Sequence, residues 1–180
     1  GNWTVVSKLP IPLVCTKAIL IRNKVYLLGG ENSKGLSDKV YSAEVKEDGS
    51  LGTWKLACKL PEPLTDLKAI VTKNRLYILG GMGNNDLSDK VYVASIYEEE
   101  LLGVWSNSFN LPEPLSHFQV IVTKEHAYLI GGRTNNGFSN KVYRATISPF
   151  GVLGPFEVKE SLPNCLTDSQ VLITKEYVYL

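Results

Sequence analysis

The chain has 180 residues, of which 44% are hydrophobic, 9% aromatic and 21% charged, the make-up of an ordinary folded protein rather than a disordered or fibrous one. Nineteen Lys and Arg against eighteen Asp and Glu leave a net charge of +1, so the positive field that drives nonspecific nucleic-acid binding is missing and no nucleic-acid partner is expected. Apolar runs such as Ala18-Ile19-Leu20-Ile21 fall far short of the roughly 20 residues a membrane-spanning helix needs, so no membrane span is expected.

Along the chain the same elements return every 51 residues. Trp3, Trp54, Trp105 and Phe156 keep that interval, as do Leu9-Pro10, Leu60-Pro61, Leu111-Pro112 and Leu162-Pro163. Gly29-Gly30, Gly80-Gly81 and Gly131-Gly132 share it, with Lys39-Val40-Tyr41, Lys90-Val91-Tyr92 and Lys141-Val142-Tyr143. The spacing divides a single domain, 1–180, into units 3–53, 54–104 and 105–155 and an incomplete unit 156–180. Each unit reads as four short strands. In the second they are Lys68–Thr72, a tight turn at Lys73-Asn74-Arg75, Leu76–Leu79 and Val91–Ile96, with Trp54–Ala57 showing the fourth type. No segment has helical periodicity. The predicted fold class is all-β, a propeller of four-stranded blades with about three and a half blades present.

The double glycine predicts positive φ and close approach of the next blade. The recurrent Trp reads as a packing anchor between blades rather than a sugar-stacking platform. Three cysteines (Cys15, Cys58 and Cys165) fit neither a zinc cluster nor a disulfide framework and read as free thiols. The opening on Gly1, with Met82 the only methionine, and the stop at Leu180 just before the next expected double glycine predict a piece of a longer propeller of roughly six to eight blades. The expected closing partners are therefore further blades of the same longer chain, or a second copy.

One turn of the pattern, Tyr77-Ile78-Leu79-Gly80-Gly81, Val91-Tyr92, Leu102-Gly103 and Trp105, resembles the kelch repeat over essentially the whole chain. Leu51-Gly52-Thr53-Trp54 followed by Leu60-Pro61-Glu62-Pro63-Leu64 is similar to a bacterial and phage-associated branch of kelch-like propellers. The resemblance implies that two kinds of loop lie on one face around a channel mouth. It leaves function open among partner-binding modules, carbohydrate-active enzymes and parts of adhesins or tail fibres.

Positions that vary within a constant frame are the binding candidates. In the between-blade loop these are Cys15, Asp66, His117 and Asp168, then Thr16 and Phe118, then Lys17 and Lys68. Turn chemistry at the Asp positions is the plainer alternative. In the loop between second and third strands the candidates are Glu31, Met82 and Arg133, with Asn84, Asn85, Asn135 and Asn136. Leu36, Leu87 and Phe138 of those loops are expected to tuck into the core. Asn84, Asn85, Asp86 and Asp89 lack the spacing of a calcium loop, and Asp89 recurs as Asp38 and Asn140, which points to turn formation. No metal site and no cofactor are expected, and His126 is placed on the face opposite His117.

The reading is a non-catalytic module that recognises a protein or glycan ligand through one propeller face, within a phage fibre or a bacterial surface or exported protein. One alternative is an enzyme resembling the sialic acid mutarotases, with Asp66, His117, Asp168 and Arg133 as acid-base groups. Another is an intracellular adaptor that recruits a protein partner. Neither a Ser-His-Asp set nor the ligands of the kelch-type copper-radical oxidases can be assembled.

Overall fold

A computed structural model of the chain describes residues 2, 5–97, 102–174 and 177–180. Among them there is no helix, and so none long and apolar enough to cross a membrane. In the first blade, β1 (Lys17–Ile21) and β2 (Lys24–Leu28) are followed by a ribbon of β3 (Glu31–Asn32) and β4 (Gly35–Leu36), then β5 (Lys39–Glu44) and β6 (Lys55–Lys59). The second contains β7 (Lys68–Val71), β8 (Arg75–Leu79), β9 (Lys90–Ser95) and β10 (Ser106–Asn110). The third repeats the first: β11 (Gln119–Val122), β12 (His126–Ile130), a ribbon of β13 (Arg133–Thr134) and β14 (Gly137–Phe138), β15 (Lys141–Thr146) and β16 (Glu157–Ser161). A hairpin of β17 (Leu172–Ile173) and β18 (Val178–Tyr179) begins a fourth.

The three complete sheets are antiparallel and run in order β1-β2-β5-β6, β7-β8-β9-β10 and β11-β12-β15-β16. The innermost strands lie side by side, β7 touching both β1 and β11, so the three sheets fan out from adjoining inner strands. In every blade the outermost pair shifts register at one place, skipping Ala57, Ser108 and Lys159. A bulge at the same spot adds local twist to an exposed outer strand.

Apolar side chains meet between blades, not within them. One core joins Tyr77, Leu79 and Val91 of the second blade to Phe118, Leu129 and Tyr143 of the third; another joins Tyr26, Leu28 and Val40 to Leu64, Leu76 and Ile78. Inner strands covered on both faces account for their unbroken apolar runs. Phe156 is buried in the first of these cores and Trp105 packs against the second, as anchors between blades would. Trp3 lies outside the described residues.

The glycine pairs hold the blades together. Gly80 and Gly81 have φ of +55° and +102°, and their counterparts repeat those values closely. Gly30, Gly81 and Gly132 donate their backbone N–H to the carbonyls of Leu64, Leu115 and Leu166, at 2.8, 2.9 and 2.6 Å. These leucines end the Leu-Pro segments of the following blade, so each strand end is bonded directly to its neighbour. The N-terminal stretch departs from expectation. The sequence predicts an outer-type strand starting at Trp3, yet residues 5–13 form none. Each observed outer strand has a third strand to pair with, and this stretch has no such strand beside it.

Candidate functional site

The chain reverses between blades in the same way four times. Cys15, Asp66, His117 and Asp168 all adopt left-handed backbone, with φ of 52°, 52°, 55° and 53°. Asp and His are among the residues that tolerate this conformation, whereas Cys15 is held in it against its preference. Turn formation, the plainer reading, therefore describes all four positions, and the turns also bring them together. Asp66 N–H donates to the Cys15 carbonyl at 3.3 Å and Asp168 N–H to the His117 carbonyl at 3.2 Å. His117 Nε2 stands 3.6 Å from an Asp66 carboxylate oxygen and 4.0 Å from one of Asp168, while its Nδ1 lies 2.9 Å from Ser116 Oγ. Burial and then the neighbouring Asp66 charge push the Cys15 thiol up, which keeps it protonated.

Just inside this rim, Lys17 and Lys68 head the innermost strands. Burial, followed by repulsion from Lys17, lowers the Lys68 ammonium, while Asp168 and Asp66 work in the other direction. Gln119, the next residue of this series, donates its side-chain N–H to the Ser169 carbonyl and so links the third blade to the fourth.

Antiparallel bridges Val14–Glu31, Thr65–Met82 and Ser116–Arg133 stitch the two loop types together in each blade. Both families of candidates therefore share one face. Glu31, Met82 and Arg133, at the same position of successive blades, line a single cavity of about 510 Å³ with Asn84, Asn85 and Asn135. Leu36 and Leu87 also face this cavity instead of entering the core, and Phe138 is 64% exposed, which corrects the expectation for all three. Lying on a ribbon above the sheets, they have no blade to tuck beneath.

Other candidates fall elsewhere. Phe118 is fully buried in the core between second and third blades, against Gly80 and Gly132, and contacts no ligand face. Thr16 commits its hydroxyl to the Leu28 carbonyl at 3.2 Å and packs on Gly30. Asn136 does not line the cavity; its N–H donates to Thr134 Oγ1 at the hairpin tip. Asp38, Asp89 and Asn140 bond to the ends of the outer strands, through Lys59 at 2.9 Å, Asn110 at 3.0 Å and the Leu162 carbonyl at 3.0 Å. Among the described residues no His, Cys, Asp and Glu side chains group as metal ligands would.

On the other face, where His126 lies, is a cavity of about 700 Å³ that sequence reasoning missed, lined by Val71, Lys73, Val122, Lys124, His126 and Pro149. It forms because the 146–151 loop of the third blade crosses onto the second. Thr72 Oγ1 donates to the Gly151 carbonyl at 2.7 Å, Lys73 Nζ to that of Pro149 at 2.8 Å, and Leu153 N–H to Tyr77 Oη at 3.0 Å.

The Leu-Pro-Glu-Pro segments are pinned to the third strand of their own blade. Tyr92 Oη donates to Glu62 at 2.9 Å, and Tyr143 Oη and Lys141 Nζ both donate to Glu113. At Glu113, burial works to raise the carboxyl, but the bonds from Lys141 and Tyr143 outweigh it and hold the group below its usual range. Burial, then the Glu62 hydrogen bond and charge, push the Tyr92 phenol up to about 12. A phenol raised above its unfolded value of roughly 10 stabilises the fold below that pH, and the contribution disappears as pH climbs through the folded value. Unfolding midpoints measured from pH 9 to pH 12 are therefore expected to fall less steeply for Tyr92→Phe than for the parent. Equal slopes would refute the coupling.

Four-stranded antiparallel blades, packed face to face and locked by paired left-handed glycines, define part of a β-propeller of kelch-type repeats. Relatives agree with this. The chain is 26% identical to mouse Kelch-like protein 35 over 176 residues, covering 97% of the chain and 28% of that protein. It is 23% identical to mouse Kelch domain-containing protein 1 over 184 residues, 87% of the chain and 45% of that protein. The solved structure of YjhT superposes with a TM-score of 0.75 at 14% identity, over 97% of the chain and 59% of YjhT. No family model matches the chain. The chain is a kelch-repeat β-propeller and spans less than half the length of these two mouse relatives.

Proposed function

We propose that the chain is a non-catalytic binding module that takes a protein partner on the face carrying the rim and the loop cavity. The observation behind this reading is the convergence of Glu31, Met82 and Arg133 from three successive blades on one cavity next to the Asp66–His117–Asp168 rim. The frame is constant and the chemistry differs from blade to blade, which suits an irregular partner surface. The cavity volume lies in the range of ligand sites. Its Met82, Leu36 and Leu87 surfaces give an apolar protein side chain something to pack on, beside the polar groups of Glu31, Asn84, Asn85, Asp86 and Arg133.

The test is a panel of single substitutions in the full-length protein, measured by calorimetry against a partner selected from a displayed peptide library. Asp66→Asn, His117→Gln, Met82→Ala and Asn84→Ala are expected to weaken binding in graded steps of roughly two- to thirtyfold, while Lys73→Ala and Lys124→Ala on the opposite face change nothing. Loss confined to the opposite-face variants would overturn the proposal. The closeness of His117 to two carboxylates also supports a mutarotase-type acid-base reading. That reading requires turnover of a free sugar which Asp66→Asn or His117→Ala abolishes with folding intact.

A further inference from the structure

The geometry points to a ligand of defined polarity: an extended peptide segment of the partner, with a basic side chain over the first blade, an apolar one over the second and an acidic one over the third. This rests on the loop-face reading above and deepens it. Glu31, Met82 and Arg133 follow double glycines in the same register, and each is bridged to the between-blade loop beside it. The three side chains therefore succeed one another from blade to blade, and all line one cavity. The wall is acidic at one end and basic at the other; between them Met82 and Leu87 supply an apolar surface, with the Asp86 carboxylate and the Asn84 and Asn85 amides beside it.

Both charges are available. Glu31 and Arg133 are exposed, and the bridges that hold them engage backbone atoms only: Val14 and Glu31 exchange N–H···O bonds at 2.9 Å in both directions, and Ser116 and Arg133 at 3.0 and 2.8 Å. Between them, Met82 can adapt to an irregular apolar side chain. The Asn84, Asn85 and Asn135 amides offer both donors and acceptors to a peptide main chain. A guanidinium grips a carboxylate with two parallel hydrogen bonds, which fixes orientation as well as affinity. A uniformly acidic or basic segment would meet a like charge at one end, and such juxtaposition is strongly unfavourable in an interface.

The test is a charge swap. Peptides selected from a random library on the full-length protein are expected to share a basic–apolar–acidic order, and Glu31→Arg or Arg133→Glu alone to weaken them roughly tenfold or more. The double variant, Glu31→Arg with Arg133→Glu, is expected to prefer peptides of the reversed order and to bind them about as tightly as the parent binds its own. Both substitutions are at exposed sites, and an unchanged unfolding midpoint verifies the fold. If selected peptides are lost on Met82→Ala but ignore the swap, the polarity proposal fails and the loop-face reading stands. If they respond only to Lys73→Ala and Lys124→Ala, both fail.

Discussion

Gly80→Ala is expected to destabilise the protein by about 3 kcal/mol or more, seen as a fall in the urea midpoint at unchanged m-value. Gly80 has φ of +55°, which costs a residue with a Cβ roughly 1–2 kcal/mol. The added methyl would also run into the Leu115 carbonyl oxygen and lie 3.2 Å from the Phe118 ring. Backbone cannot swing away as a flexible side chain does, so the clash opens the Gly81 N–H to Leu115 bond, 2.9 Å in the parent. Leaving those buried groups unpaired adds about 1–3 kcal/mol. Gly49→Ala separates the contributions, because φ there is also positive, +80°, but nothing lies within 4 Å of the new methyl. Similar losses at the two sites would show that blade-to-blade contact adds nothing.

Phe118→Ala is expected to cost about 3–5 kcal/mol, the range for removing a fully buried aromatic side chain. Phe118 has no exposed surface, and its ring fills the space that Gly80 and Gly132 leave between the second and third blades. By contrast, Asp66→Asn and His117→Gln, one residue or one blade away on the rim, are expected to shift stability by less than about 1 kcal/mol. Denaturant titration of the three variants decides whether the loop carries packing and recognition on adjacent residues. A Phe118→Ala variant as stable as the parent but unable to bind would return this residue to the ligand surface.

The repeat made the architecture legible, since an interval of 51 residues kept by tryptophans, prolines and double glycines leaves little freedom for another fold. Apart from the outer strand expected from Trp3, which residues 5–13 do not form, the strands and the left-handed glycines fall where the repeat placed them to within a residue or two. The site was legible only in part. Thr16, Leu67, Phe118 and Ser169 share one position, and their chemical variety suggested recognition, yet Leu67 and Phe118 are buried. Variation at a position cannot by itself separate a changing ligand contact from a changing core. At the preceding position, Asp and His suit a left-handed turn, but Cys15 does not announce one, so the common backbone geometry was hidden. Leu36 and Leu87 looked like core because they are apolar, and only their place on a ribbon turns them toward a cavity. The opposite-face cavity left no local trace, being closed by bonds between residues 76 to 79 apart in sequence.

The paired bridges at Val14–Glu31, Thr65–Met82 and Ser116–Arg133 use main-chain atoms alone. The Glu31, Met82 and Arg133 side chains are consequently not needed to hold these bridges. A lineage could rewrite its recognition surface one blade at a time, exchanging charge for grease or amide for acid, while the wheel beneath went on turning out the same shape.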